Sequence, residues 1–157
     1  MSEPIRLPLE AEDIKAILPH RYPFLLIDRI VELEADRRIV GIKNVASDER
    51  YFIAGPGGRP ILPASILTEA MAQVGAVLIL LRPEYRSRLI YFMGIDRVRY
   101  RRPVAAGDRV LVEGHILKLR SRTGTFKGVA RVEGRVVCEA QMTFAIAPRD
   151  DRAPAPG

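Results

Sequence analysis

One stretch constrains this chain more than any other. From Pro63 to Leu81 it reads PASILTEAMAQVGAVLILL, an almost unbroken apolar run with a single carboxylate, Glu69, near its start. Between Ala64 and Leu81 the only polar side chains are Ser65, Thr68, Glu69 and Gln73. A helix that is apolar on nearly every side must be buried. The uncharged part beyond Glu69 is too short to cross a bilayer, so the expectation is a core helix and no membrane span. Residues four apart stack on one helical face, which puts Ser65, Glu69 and Gln73 in a single polar row on an otherwise apolar rod. A carboxylate in that setting is either catalytic or structurally paired.

A chain of 157 residues is long enough to bury such a helix in one domain without disulfides or metals. With 48% hydrophobic and 28% charged residues it is globular rather than disordered or fibrous. The one cysteine, Cys138, lies in the alternating apolar run Arg135 to Phe144 and reads as a small buried side chain. The start, MSEPIRLPLEAED, has neither the basic-then-apolar pattern of a signal peptide nor the Arg-rich character of a transit peptide, so a cytoplasmic location is expected. The formal charge of +6 favours acidic partners. No zinc-finger spacing, aromatic RNA-binding strand or basic heptad helix accompanies it, and no nucleic-acid partner is expected.

Taken in order, Leu9 to Leu18 predicts a short amphipathic helix ending before Pro19, and His20 to Pro23 a loop. Phe24 to Glu34 and Arg38 to Ala46 predict a hairpin. Ser47 to Pro63 is a loop rich in Gly and Pro. Its Gly55-x-Gly57-Gly58 text lacks the following Lys-Ser/Thr and the dinucleotide spacing, so it is not read as a phosphate cradle. After the polar connection Arg82 to Arg88, four strand-like runs follow at Leu89 to Tyr100, Arg109 to Leu119, Gly124 to Val132 and Arg135 to Ile146, the last three joined by short turns. The sum is α+β, an antiparallel sheet around one buried helix, over residues 1–147, with 148–157 a flexible tail.

Several segments then carry a resemblance. His20-Arg21-Tyr22-Pro23-Phe24-Leu25-Leu26-Ile27-Asp28-Arg29, Lys43-Asn44-Val45, Pro60-Ile61-Leu62-Pro63, Glu69-Ala70-Met71-Ala72-Gln73, Gly94-Ile95-Asp96, Arg102-Pro103-Val104 with Gly107-Asp108, and Val136 to Ala140 resemble the (3R)-hydroxyacyl-[acyl-carrier-protein] dehydratases of bacterial fatty acid synthesis, in the same order and over nearly the whole chain. The resemblance implies a hotdog fold, a homodimer that often assembles as a trimer of dimers, and an acyl tunnel at the dimer interface. It implies acyl carrier protein or coenzyme A thioesters as partners, and no cofactor or metal. In that family a loop His removes the proton alpha to the thioester, and a Glu on the partner's helix assists departure of the 3-hydroxyl.

The family Glu corresponds to Glu69. Counting back from Pro60 and Glu69 without a gap puts Gly55 at the family His, and Pro56, Ala64 and Ser65 also depart from the pattern. Abstracting an alpha proton needs a positioned base, worth roughly 10²–10⁴-fold in rate, and glycine offers none. His20 belongs to the family's own loop motif and reads as structural. His115 reads as a sheet residue, Asp48 and Glu49 as solvated loop acids, and Met71 as core. The residues expected to bind substrate are Gly58, Ala64, Ser65, Gln73 and Met93, with Arg97, Arg99, Arg101 and Arg102 offered to an acidic carrier protein. Three functions follow: a dehydratase-like acyl-thioester binder, first; a partner subunit lending Glu69 to a His-bearing paralogue in a heterodimer; or a thioesterase using Glu69 to position water.

Overall fold

The computed structural model describes residues 4–149. Its elements are α1 (Ala11–Ile17), β1 (Arg29–Glu34), β2 (Arg38–Asn44), the two-residue strands β3 (Ile53–Ala54) and β4 (Pro60–Ile61), α2 (Ala64–Leu80), then β5 (Arg88–Tyr100), β6 (Arg109–Leu119), β7 (Thr123–Val132) and β8 (Arg135–Pro148). Six strands form one antiparallel sheet in the order β1-β2-β6-β7-β8-β5, and β3 pairs with β4 as a separate hairpin. The sheet closes around α2, which packs on β2, β5, β6, β7 and β8.

Burial explains why α2 is the axis. Fourteen of its residues, Ile66 to Thr68, Ala70 and Met71 to Leu80, are buried. Each fully covered large aliphatic side chain contributes about 1.5–3 kcal/mol relative to exposure. A continuous apolar rod can only be covered by something curved, and the alternation of β6 and β7 supplies it: Val110, Val112, Phe126 and Ala130 face inward at 0% exposure. Glycines let the helix come close. A Cβ at Gly75 would lie 2.8 Å from the Phe126 ring, and one at Gly128 would lie 2.7 Å from the Met71 sulfur.

The long elements agree with the sequence reading, and the differences are local. β8 runs through Pro148, which pairs with Arg88, so the strand reaches into what the pattern gave to the tail; residues 150–157 lie outside the described residues. The expected loop from Ser47 to Pro63 contains the β3–β4 hairpin. The first strand begins at Arg29, not Phe24, because the backbone from Phe24 to Leu26 is held by a side chain of α2. At the β7–β8 turn Glu133 (φ 49°) and Gly134 (φ 77°) are both left-handed, the geometry a two-residue hairpin turn requires.

Phe126 is the side chain on which helix and sheet meet. Phe126→Ala is expected to lower unfolding stability by about 3–5 kcal/mol in urea titration, with the fold retained by circular dichroism.

Candidate active site

An apolar cleft of about 380 Å³ opens beside the start of α2, lined by Ala64, Ser65, Thr68, Glu69 and Ala72 from the helix, Phe92, Ile95 and Val98 from β5, and Met142 from β8. The three β5 residues are spaced by three, which ordinary alternation forbids. Register shifts between Phe92 and Gly94 and between Ile95 and Arg97 turn the strand twice, so that Phe92, Ile95 and Val98 all line the cleft. No residue pattern in β5 announces these bulges.

The cleft ends at the N-terminus of α2. Pro63 caps the helix without a side-chain bond, so the first N–H groups, those of Ala64 and Ser65, have no intrahelical acceptor. The positive end of the helix dipole therefore bears on the cleft. Tyr100 fixes this entry: its hydroxyl donates to the Leu62 carbonyl at 3.1 Å and accepts from the Val104 N–H at 3.2 Å. The Thr68 hydroxyl turns back to the Ala64 carbonyl at 2.7 Å.

Glu69 is the acid of the cleft. Burial pushes its carboxyl above the ordinary carboxylate value, with a partly offsetting hydrogen bond from Gln73. That bond runs from Gln73 Nε2 to Glu69 Oε1 at 3.0 Å, and the same nitrogen donates to the Phe24 carbonyl at 2.7 Å. Gln73 Oε1 accepts from the Leu26 N–H at 2.9 Å. One side chain, 1% exposed, thus ties the His20 to Leu26 segment to the carboxylate. The predicted polar row is real, but Gln73 faces the protein and its amide is occupied there.

His20 is brought to the same place. Arg21 clamps the loop behind it, donating to the carbonyls of Lys15, Leu18 and His20 at 3.1, 2.9 and 2.7 Å. His20 Nε2 lies 3.6 Å from Glu69 Oε1, just outside hydrogen-bond reach. Burial, with the Arg21 charge, pushes its imidazole below the usual value. The loop motif alone gives His20 a structural role; its approach to Glu69 is a tertiary feature.

Of the other expected site residues, Ala64 and Ser65 line the cleft. Gly58 (φ 76°) lies exposed in the turn between β3 and β4, and Met93 sits at the first β5 bulge with its side chain outward, 66% exposed. Gly55 lies inside the small hairpin, its N–H donating to the Arg59 carbonyl at 2.7 Å. A Cβ there would lie 2.8 Å from that carbonyl oxygen and 2.6 Å from the Ile61 side chain. Arg97 and Arg99 flank a shallow outer-face depression with Lys127, while Arg101 is bonded to Glu139 at 2.8 Å and, with Arg102 and Arg135, borders a second one. His115 pairs with Glu113 at 2.6 Å outside the cleft, Glu49 is paired with buried Lys43 at 3.1 Å, and Asp48 is exposed. Burial pushes the Cys138 thiol up to about 11, so it is inert.

A FabA-like domain model matches residues 18–141 of the chain. The chain is 49% identical over 138 residues to the 3-hydroxyacyl-[acyl-carrier-protein] dehydratase FabZ of Herpetosiphon aurantiacus, spanning 88% of this chain and 98% of that protein. The chain belongs to the FabZ dehydratase family. It is 45% identical over 138 residues to the FabZ of Anoxybacillus flavithermus, spanning 88% of this chain and 97% of that one. Among solved structures, the dehydratase heterocomplex ApeI:P of Xenorhabdus doucetiae is similar with a TM-score of 0.73 at 20% identity, over 92% of this chain and 93% of that one. That likeness bears on the fold alone, and the sheet wrapped on α2 is the hotdog fold. Among the described residues no helix is long and apolar enough to cross a membrane.

The Gln73 clamp makes a direct prediction. In Gln73→Met the buried Leu26 N–H loses its acceptor, which costs about 1–3 kcal/mol. Urea titration reads that loss, and hydrogen exchange is expected to quicken at Leu26 while α2 stays protected.

Proposed function

We propose that this protein binds 3-hydroxyacyl thioesters of fatty acid synthesis and handles them as a FabZ-type dehydratase, with Glu69 moving protons in the largely apolar cleft. The observation that carries this is the setting of Glu69: a carboxyl raised by burial, the one ionisable group lining a largely apolar cleft, beside a helix N-terminus without a side-chain cap. An acyl chain suits the Phe92, Ile95, Val98 and Met142 walls, and the free N–H groups of Ala64 and Ser65 suit a thioester oxygen on which charge develops.

In this reading Gly55 stands where the family carries its loop His. A second reading, that the chain lends Glu69 to a His-bearing paralogue, is favoured by one observation. Because a Cβ at Gly55 meets the Arg59 carbonyl, restoring a His requires the β3–β4 hairpin to move. Dimer formation is assigned to β5, which pairs only with β8 among the described strands and exposes Tyr91, Met93, Ile95 and Val98. A dimer there, or a trimer of such dimers, would cover these side chains.

The test is to incubate the purified chain with 3-hydroxydecanoyl thioesters, alone and mixed with a His-bearing family member, and to follow enoyl formation and thiol release. Enoyl product from the chain alone supports the first reading. Product above the paralogue's own rate, only on mixing and with a heterodimer in native mass measurement, supports the second. Thiol release without enoyl product would replace both with a thioesterase. For the carrier, Arg97→Glu with Arg99→Glu is expected to raise KM about tenfold for a carrier-bound substrate while leaving that for a pantetheine thioester unchanged, since a rim charge acts through encounter with an acidic partner.

A further inference from the structure

The protonation of His20 follows from its surroundings. Nδ1 is wholly buried with no hydrogen-bond partner, whereas Nε2 faces the Glu69 carboxyl. A proton on Nδ1 would be a buried donor without an acceptor, a state proteins avoid. A proton on Nε2 has the Glu69 carboxyl as its nearest charged neighbour, 3.6 Å away. The neutral ring therefore carries its proton on Nε2 and keeps its lone pair on the sealed nitrogen. A second proton is opposed by burial and by Arg21. In that form His20 can donate toward the site but cannot accept from it.

The other candidates for a base are accounted for. Within the chain, Gly55 has no side chain, Asp48 is exposed and does not line the cleft, Glu49 is bound to Lys43, and His115 is bound to Glu113 away from the cleft. Glu69 remains. Its Oε1 takes the Gln73 hydrogen bond and faces His20, while Oε2 has no hydrogen-bond partner among the described residues.

The geometry points to a one-carboxylate elimination in which Glu69 moves the proton twice in each turnover, with His20 a positioning residue whose Nε2–H closes the 3.6 Å gap to Oε1 once substrate is bound. This rests on the acyl-thioester reading above. Glu69 begins as the carboxylate. Oε2 takes the proton from C2, and the C2–H electron pair moves into the thioester carbonyl, whose oxygen becomes the enolate. The enolate collapses, the C2–C3 double bond forms, and the C3–O bond breaks with its pair going to oxygen. Glu69 returns the proton to that oxygen, water departs, and the carboxylate is restored. Since one carboxyl serves both carbons, proton and hydroxyl leave from the same face. Burial suits the first half, because a carboxyl raised from its ordinary value is a stronger base, and in the second half the carboxylic acid is still far more acidic than the alcohol oxygen it protonates.

The experiment uses the full chain with 3-hydroxydecanoyl pantetheine as substrate and its amide analogue as a binding probe, in wild type, Glu69→Gln, His20→Gln and His20→Ala, with melting midpoints as the check on folding. Expected is a loss of roughly 10²–10⁴-fold for Glu69→Gln. His20→Ala should lose about tenfold in kcat, and His20→Gln, which keeps an N–H donor, should recover most of it, as befits one neutral hydrogen bond. The kcat/KM profile should rise with pH through a single carboxyl ionisation and then stay level. The charged or titratable groups facing this pair are Arg21 for His20 and His20 itself for Glu69. A His20→Gln variant as inactive as Glu69→Gln, or a pH limb that vanishes with the imidazole, would overturn the inference by making His20 a proton carrier. Probe binding without wild-type turnover overturns it too, and leaves the acyl-binding reading standing. No binding of the probe removes both.

Discussion

The site depends on the amide of Gln73. Its nitrogen and oxygen bind three groups at once: the Glu69 carboxyl, the Phe24 carbonyl and the Leu26 N–H. A buried amide is tolerated only when it is satisfied, and here its satisfaction is also the architecture. It replaces the sheet ladder for the Phe24 to Leu26 segment, which is why β1 starts later than the alternation suggests. It also fixes the distance between the helix and the loop bearing His20. Phe24 and Tyr51 support that loop from the far side, ring to ring at 6.1 Å, with the Tyr51 hydroxyl donating to the Pro23 carbonyl at 3.2 Å.

Around this clamp the molecule divides its charges sharply. The outer face of the sheet holds dense, solvated networks such as Glu113 with Arg38, His115 and Arg131. Half-exposed surface pairs of this kind contribute little individually. The cleft holds one carboxyl, and there desolvation outweighs the Gln73 hydrogen bond, so the charged form is disfavoured. That is a cost to stability, concentrated at the one carboxyl that lines the cleft. The hairpin from Ile53 to Ile61 is packed for a glycine: the Arg59 carbonyl and the Ile61 side chain fill the space a larger residue at position 55 would need.

The β5 edge shows how function is added to a regular frame. A strictly alternating strand would present every second residue to α2. Two bulges instead bring Phe92, Ile95 and Val98 into the cleft and leave Arg97 and Arg99 beside Lys127 on the other face. One strand thereby serves an apolar wall and a basic surface.

Much of this was written in the order of residues. The apolar run from Ile66 to Leu81 could only be a buried helix, the alternation in β6, β7 and β8 could only cover it, and the four-residue spacing put Ser65, Glu69 and Gln73 on one face. Those are local periodicities, set by the geometry of helix and strand, and the motif resemblance added the family. What the local pattern did not hold is which way each polar group of that row would turn, because that is decided by groups far along the chain. Gln73 is turned to the protein by backbone 47 and 49 residues away. His20 meets Glu69 only because α1 and its Arg21 clamp dock against the start of α2, and Met93 leaves the cleft because a bulge adds a residue that no sequence period announces. The sequence determined the rod and its wrapping; the tertiary structure decided which atoms of the rod face the cleft, since hydrogen-bond partners there are brought together by packing and not by spacing.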